Sequence, residues 1–580
     1  MSNSNRWRPL ASLLPLLLLA QASLATLAIT STELQKGVPA LPLSLYRHLR
    51  RAEQQQALAL ATPTFLDDAS SQLTFAAPAP AYQAHYFDQL ISHDPEVPPP
   101  AGKTTFRQRY WFDAGYYKKG GPVFLLDGGE TDGAGRLPFL KEGILRILSE
   151  ATGGIGIVFE HRYYGESFPV DDLSTDSFRY LTTMQSLQDG AYFAENVKLP
   201  GLEDVKLTPN KHAAWFYYGG SYAGAKAAFA RKLFPDVWWG AIASSAVTAA
   251  IVDYWEYYEP IRLHAPSACI DLLQNHTSVI DSLLALDNPL VTTSLKSYFG
   301  LPNITLDTDF VNALSIPLGS WQARNWDSEV GSSAFFDFCD TLTADPEEVT
   351  KLGGLTTTVL EFVAQAFPSW PKDPRKTFAS FSAYAAYSKD KIASMCPEDE
   401  EQDDCFGTDA YGGDGLEEAP WKSWSYQFCT EWGYFMGGAP EGHPSIVSRL
   451  IGTDYTAQIC EKAFPPGKLN SVPSTPNTTA INQWGSFKLQ HSRLAFIDGS
   501  DDPWLYATPH SPHAPNRTDT IKRPFKVISG GVHHWDENGR LDGDVPKAIR
   551  KVHEDEVEFV KAWVKEWEER GRWKTGAWRD

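Results

Sequence analysis

The most restrictive feature of this chain is a series of short apolar runs, each closed by glycine or a polar turn: "GPVFLLDGG", "GIGIVFEHRYYG", "HAAWFYYGGS" and "GAIASSAV". Such runs, about 4–8 residues long and apolar at successive positions, leave no face for water, so they read as strands covered on both sides. Helix-like stretches separate them, which predicts a largely parallel sheet and an α/β fold. The texture begins near "HYFDQLISHDP" and "TFRQRYWF" and lapses after residue 254. It resumes at "SRLAFIDG" and "RPFKVISGG", and the amphipathic stretch "EDEVEFVKAWVKEWEERGRW" follows. Residues 81–254 and 481–580 therefore form one sheet domain, and residues 255–480 are an insertion. Its segments "CIDLLQNHTSVIDSLLAL" and "LTTTVLEFVAQAF" read as helices joined by Pro-, Gly- and Trp-rich loops. No internal repeat is apparent.

The N-terminus points to export. Arg6 and Arg8 precede an apolar run and then small residues at Ala20, Ala22 and Ala25, the layout of a signal peptide over 1–25 and short for a membrane anchor. Residues 26–80, rich in Ala, Gln, Ser and Pro, read as a propeptide or loose arm. Sequons at Asn275, Asn303, Asn477 and Asn516 are candidate glycan sites in an exported chain. The six cysteines all lie beyond residue 260, an even set suited to an oxidising compartment. Cys396 and Cys405 are close enough for a local loop, which leaves Cys269, Cys339, Cys429 and Cys460 for two wider bridges. The insertion is thus expected to be a helical, disulfide-braced cap. A net charge of −20 argues against nucleic acid and anionic membranes as partners. HExxH and clustered Cys/His spacings are missing, so no metal or cofactor is expected.

The chemistry centres on "WFYYGGSYAGAKAAFARKLFP". An aromatic strand ending in Gly-x-Ser and followed at once by a small-residue helix has the layout of the α/β-hydrolase nucleophile elbow, with Ser221 as nucleophile. Gly219, Ala223 and Gly224 supply the small neighbours that let strand and helix approach, although Ala223 departs from the plain GxSxG spelling. The competing reading is a serine that merely caps its helix. A nucleophilic serine needs a base, and the base needs an acid, in the chain order Ser, acid, His. Asp498, Asp501 and Asp502 compete for the acid in "LAFIDGSDDPW", and His533 and His534 for the base in "VISGGVHHWDENG". The oxyanion hole calls for backbone N–H groups. One is expected from Tyr222, the other from the glycine turn "FLLDGGETDG" at Gly128 and Gly129.

Taken together, "HYFDQLISHD", "GGPVFLLDGGE", "EHRYYGES", "GGSYAG", "YQFCTEWGYF", "GAPEGHPSIVSRL", "DGSDDPW" and "GGVHHWD" resemble the serine peptidase family of lysosomal Pro-Xaa carboxypeptidase and dipeptidyl peptidase II. The likeness is greatest to fungal secreted prolyl endopeptidase-like members. The resemblance implies an α/β-hydrolase fold with a large inserted helical cap, and it maps the nucleophile to Ser221, the acid to Asp502 and the base to His533. It further implies hydrolysis on the C-terminal side of proline in proline-containing peptides, in a carboxypeptidase, dipeptidyl peptidase or endopeptidase mode. The setting it implies is extracellular, with a lysosomal or vacuolar lumen as alternative, and a homodimer is left open. Trp504, Trp432, Tyr434 and Phe435 are candidate walls for the proline ring, and Glu130 is a candidate amine-binding acid. Two other classes compete: an esterase or lipase on the same fold, and a binding protein that keeps the fold without catalysis.

Overall fold

The computed structural model describes residues 82–344, 374–408 and 413–575. The signal peptide, the arm over 26–80 and the helix expected at "LTTTVLEFVAQAF" lie outside these residues. The strands are β1 (His85–Leu90), β2 (Thr105–Asp113), β3 (Val123–Asp127), β4 (Ile155–Phe159), β5 (Trp215–Gly220), β6 (Trp238–Ser244), β7 (Ile251–Asp253), β8 (Gly433–Phe435), β9 (Leu494–Gly499) and β10 (Phe525–Ile528). Eight of them form one sheet in the order β1-β2-β4-β3-β5-β6-β9-β10. Both pairings of β2 are antiparallel, and every pairing from β4 to β10 is parallel. This is the α/β-hydrolase sheet.

The central strands are buried along their whole length because both faces are covered, as their unbroken apolar sequences require. Alternate residues separate cleanly. Val123, Leu125, Trp215 and Tyr217 enter one core, and Phe124, Leu126, Phe216 and Tyr218 enter the other. Helices α1 (Ile144–Thr152), α2 (Thr183–Asn196), α3 (Ser221–Leu233), α4 (Ser267–Leu284), α5 (Ala334–Thr343), α6 (Pro374–Tyr387) and α7 (Lys547–Thr575) are the main ones that matter to the site. The second core takes the apolar sides of α1 and α7, through Ile144, Leu145, Leu148, Phe559, Val560 and Trp563. Helix α3 packs into the first core through Ala225, Ala228 and Phe229.

Between β6 and β9 the chain leaves the sheet. Cys269 of α4 is bonded to Cys339 of α5, Cys396 to Cys405, and Cys429 to Cys460. The segment "CTEWGYF" does more than loop between helices: β8 pairs in parallel with β7, just beyond β6. Gly433 is required there, since its φ is 78° and an added Cβ would lie 2.3 Å from the Ile251 carbonyl oxygen. The Tyr434 hydroxyl then donates to the carbonyls of Val247 and Ala249, fastening the insertion to the β6–β7 connection.

Candidate active site

Ser221 follows β5 directly and opens α3 at a φ of 58°, a left-handed conformation that a non-glycine residue holds only under constraint. Close packing supplies the constraint. A Cβ on Gly219 would fall 2.3 Å from the Ala223 carbonyl oxygen, and one on Gly224 would fall 2.4 Å from that of Ser244. Alanine at 223 is accommodated, with its side chain buried against the turn that contains Gly129.

The acid and histidine loops follow β9 and β10, the two strands beyond β6. Each of the three competing aspartates meets a different histidine. Asp502 is fully buried, and its carboxylate oxygens lie 3.0 and 3.1 Å from His533 Nδ1. Asp501 lies 3.2 Å from His264, and Asp498 bonds His510, whose ring stacks on Phe525. Burial would raise the Asp502 pKa, but the charge of His533 and hydrogen bonds from His533, Ser245 and the Trp504 N–H (2.9 Å) outweigh it and hold the carboxyl below its usual range. His534 takes a different partner, with Nδ1 2.9 Å from Glu537 Oε2. Burial disfavours its charge, yet the Glu537 carboxylate raises its pKa above the ordinary histidine value.

Proximity to the elbow is direct. A Cβ on Gly220, the residue before the nucleophile, would lie 3.1 Å from His534 Cγ and 2.6 Å from Glu537 Oε1. Ser245, at the end of β6, accepts the His534 N–H at 2.8 Å and also bonds Asp502, so one side chain links the acid and histidine loops. Sequence reasoning passed over it because a serine in "IASSAV" carries no motif.

On the far side of the elbow, Gly129 has a φ of 68°, and its N–H donates to Asp127 Oδ1 at 2.9 Å. The Glu130 amide, next along the turn, meets its own carboxylate. Glu130 is partly exposed and lies within electrostatic range of His533 and His534; burial pushes its pKa up. Tyr222 is fully buried, and its hydroxyl lies 3.2 Å from His161 Nε2.

The aromatic candidates divide. The Trp504 ring centroid is 6.2 Å from that of His533, Tyr434 packs edge-on to Trp504 at 5.0 Å, and Trp432 packs edge-on to Tyr222 at 5.3 Å. Phe435 points elsewhere, into a separate core with Phe178 and Phe464. Among the sequons, Asn303, Asn477 and Asn516 are exposed and Asn275 is half-buried on α4. Among the described residues no group of His, Cys, Asp and Glu could hold a metal, and no helix is long and apolar enough to cross a membrane.

The profile of the family described as serine carboxypeptidase S28 matches residues 100–313 and 375–554. The chain belongs to the S28 family. This S28 peptidase is 40% identical over 510 residues to a "Probable extracellular serine carboxypeptidase" of Arthroderma benhamiae, covering 84% of this chain and 68% of that one. It is 26% identical over 502 residues to "Serine protease vicPa" of Bipolaris victoriae, covering 82% and 88%. Among solved structures, the "Thioesterase Domain From Curacin Biosynthetic Pathway" superposes with a TM-score of 0.29 at 11% identity, covering 82% of this chain and 98% of that one. So distant a superposition adds nothing to the sheet order. The protein is thus a serine-type peptidase whose substrates are peptides.

Proposed function

We propose that this S28 peptidase cleaves peptide bonds on the C-terminal side of proline, with Ser221, His533 and Asp502 as its catalytic triad. The observation that carries the reading is the Asp502–His533 pair, buried beside an elbow that holds Ser221 at positive φ. Asp502 binds Nδ1 and so leaves Nε2 to act as base. His533 removes the Ser221 hydroxyl proton as Oγ attacks the scissile carbonyl, then delivers that proton to the departing amine. Water, deprotonated by the same imidazole, attacks the acyl-enzyme and releases the acid while Ser221 recovers its proton. The oxyanion is received by the Tyr222 N–H and by an amide of the Gly128–Glu130 turn. The Gly129 N–H is engaged by Asp127 and the Gly128 N–H by the Phe159 carbonyl, so the donor from this turn is the Glu130 amide, which must exchange its own carboxylate for the oxyanion.

Proline suits a flat apolar wall, and Trp504 beside His533 with Tyr434 against it supports that preference. The leader sequence, the sequons and the three disulfides support secretion. The Arthroderma benhamiae relative is named a carboxypeptidase, which favours release of C-terminal residues. The competing dipeptidyl mode would use Glu130 to hold a free N-terminal amine. Mass-spectrometric profiling of a peptide library with free and blocked termini tests both proline preference and mode. Cleavage spread evenly over residues other than proline would refute the preference. Ser221→Ala is expected to lower turnover by about 10⁴-fold or more, and an unchanged rate would refute the triad. Glu130→Gln is expected to impair only substrates with a free N-terminus in the dipeptidyl mode, and to leave the carboxypeptidase mode unaffected.

A further inference from the structure

Asp127 and Lys226 are 2% and 1% exposed, and they form an ion pair of 2.5 Å directly beneath the elbow. Asp127 ends β3, and Lys226 is on α3 little more than one turn past Ser221. The carboxylate is fully used: Oδ1 accepts the Gly129 N–H, and Oδ2 accepts both Lys226 Nζ and the Tyr217 hydroxyl. Burial disfavours the ionised carboxyl, but the lysine charge and these hydrogen bonds keep the Asp127 pKa below its ordinary value. A buried ion pair of this kind is weak support for stability, since desolvation offsets much of its attraction. What it does accomplish is geometric. It ties the turn after β3 to the helix that begins with the nucleophile.

The second donor residue converges on the same cluster. His161 lies within electrostatic reach of Asp127 and Lys226, and burial brings its pKa down to about 3, so the ring is neutral. Its Nδ1 bonds the Arg162 carbonyl at 2.6 Å and therefore carries the proton, which leaves Nε2 to accept from the Tyr222 hydroxyl. The pair itself reaches both donors: Asp127 takes the Gly129 N–H of the turn, and Lys226 Nζ lies 5.6 Å over the Tyr222 ring.

We infer that Asp127 and Lys226 are a positioning pair that sets the separation of the two oxyanion donors, and so acts on the tetrahedral transition state and not on substrate binding. The inference rests on the serine acyl-transfer reading given above. Displacing one donor by about an ångström costs on the order of 100-fold in rate.

The test compares the full-length protein with Asp127→Asn, Lys226→Arg and the charge-free double variant D127N/K226M. The wild type is first labelled with a fluorophosphonate and titrated with a peptidyl boronate that forms a tetrahedral adduct on serine. Failure of the wild type to label at Ser221 would sink the acyl-transfer reading itself. Given labelling, the double variant is expected to lose kcat by about 100-fold, to bind the boronate correspondingly more weakly, and to keep KM and the inhibition constant of the cleaved peptide product within about twofold. Lys226→Arg is expected to recover much of the rate because it keeps the cation. Folding of each variant is followed by near-ultraviolet circular dichroism. A folded double variant with wild-type kcat and boronate affinity would overturn the inference, as would a loss that falls equally on product binding.

Discussion

Two clusters of buried charge flank the elbow, and they are neutralised in opposite ways. On the β3–α3 side, Asp127 is ionised and matched by Lys226. On the histidine-loop side, Asp536 accepts from the Tyr218 and Ser244 hydroxyls, and Glu556 of α7 is fully buried, with no cation as an ion-pair partner among the described residues. Burial and the neighbouring Asp536 and Glu537 raise the Glu556 pKa well above its ordinary value, and burial lifts that of Asp536 to about 6. His534 and Arg136 act on Glu537, His534 as its ion-pair partner, while His553 Nε2 meets the Asp536 carbonyl at 2.9 Å. The first cluster is balanced by a lysine, the second by protons. The lesson is that the two sides of one catalytic centre respond to different variables: the first to loss of a partner, the second to pH.

The sharpest way to break this contrast is to remove the lysine. Lys226→Met strands Asp127 and is expected to cost about 3–5 kcal/mol in denaturant unfolding, with the double variant D127N/K226M recovering part of that. A single variant as stable as wild type would mean that the pair carries no charge. Next in size is the pH response of the histidine side. Native Glu556 and Asp536 hold protons that the unfolded chain releases above the ordinary carboxyl range, so rising pH favours unfolding, through about 6 for Asp536 and further for Glu556. Each pH unit over which one such proton is retained costs roughly 1.4 kcal/mol. In scanning calorimetry from pH 4 to 7 the Tm of Glu556→Gln is expected to rise relative to that of wild type as pH increases, and a pH-independent difference would contradict the assignment.

The Asp127 side has the opposite sign and a smaller effect. Its depressed pKa contributes stability that is present above the ordinary carboxyl range and lost as pH falls through the native value. Asp127→Asn is therefore expected to soften the acid limb of the stability profile, below about pH 4, in addition to the loss at all pH that comes from stranding Lys226. Asp502, also held below its usual range, keeps contributing to that limb. The smallest effect is that of salt. Both clusters are out of contact with solvent, so raising NaCl to about 1 M is expected to shift neither variant's ΔΔG by more than a few tenths of a kcal/mol. A large salt response would place one cluster at the surface.

Much of the fold was legible because its signal is local. Each run read as a strand lies in the sheet, from "TFRQRYWF" in β2 to "RPFKVISGG" in β10, and the signal is plainest in β3, β4 and β6, where covering both faces leaves an uninterrupted apolar sequence. The exceptions are instructive. β8 was hidden in a tryptophan-rich loop because three residues give no periodicity, and its pairing with β7 depends on a segment far away in the chain. Lys226 and Asp127 left a trace that could have been used, a lysine inside "AGAKAAFA" and an aspartate closing "VFLLD", each a charge in an otherwise apolar run. Glu556 left none, because glutamate on an amphipathic helix ordinarily faces water.

By itself the sequence determined that a strand would end in a strained serine with glycines around it, and that an acid and a histidine would follow in order. Which aspartate meets which histidine was decided only in three dimensions. Asp498 lies near the end of β9 and Asp501 and Asp502 just after it, yet their partners His510, His264 and His533 come from three different segments. Apolar burial is set by neighbours along the chain, so patterning reveals it. The partner of a buried charge is set by where separate strand ends converge, and in this protein that convergence places Asp502 on His533 and Lys226 on Asp127.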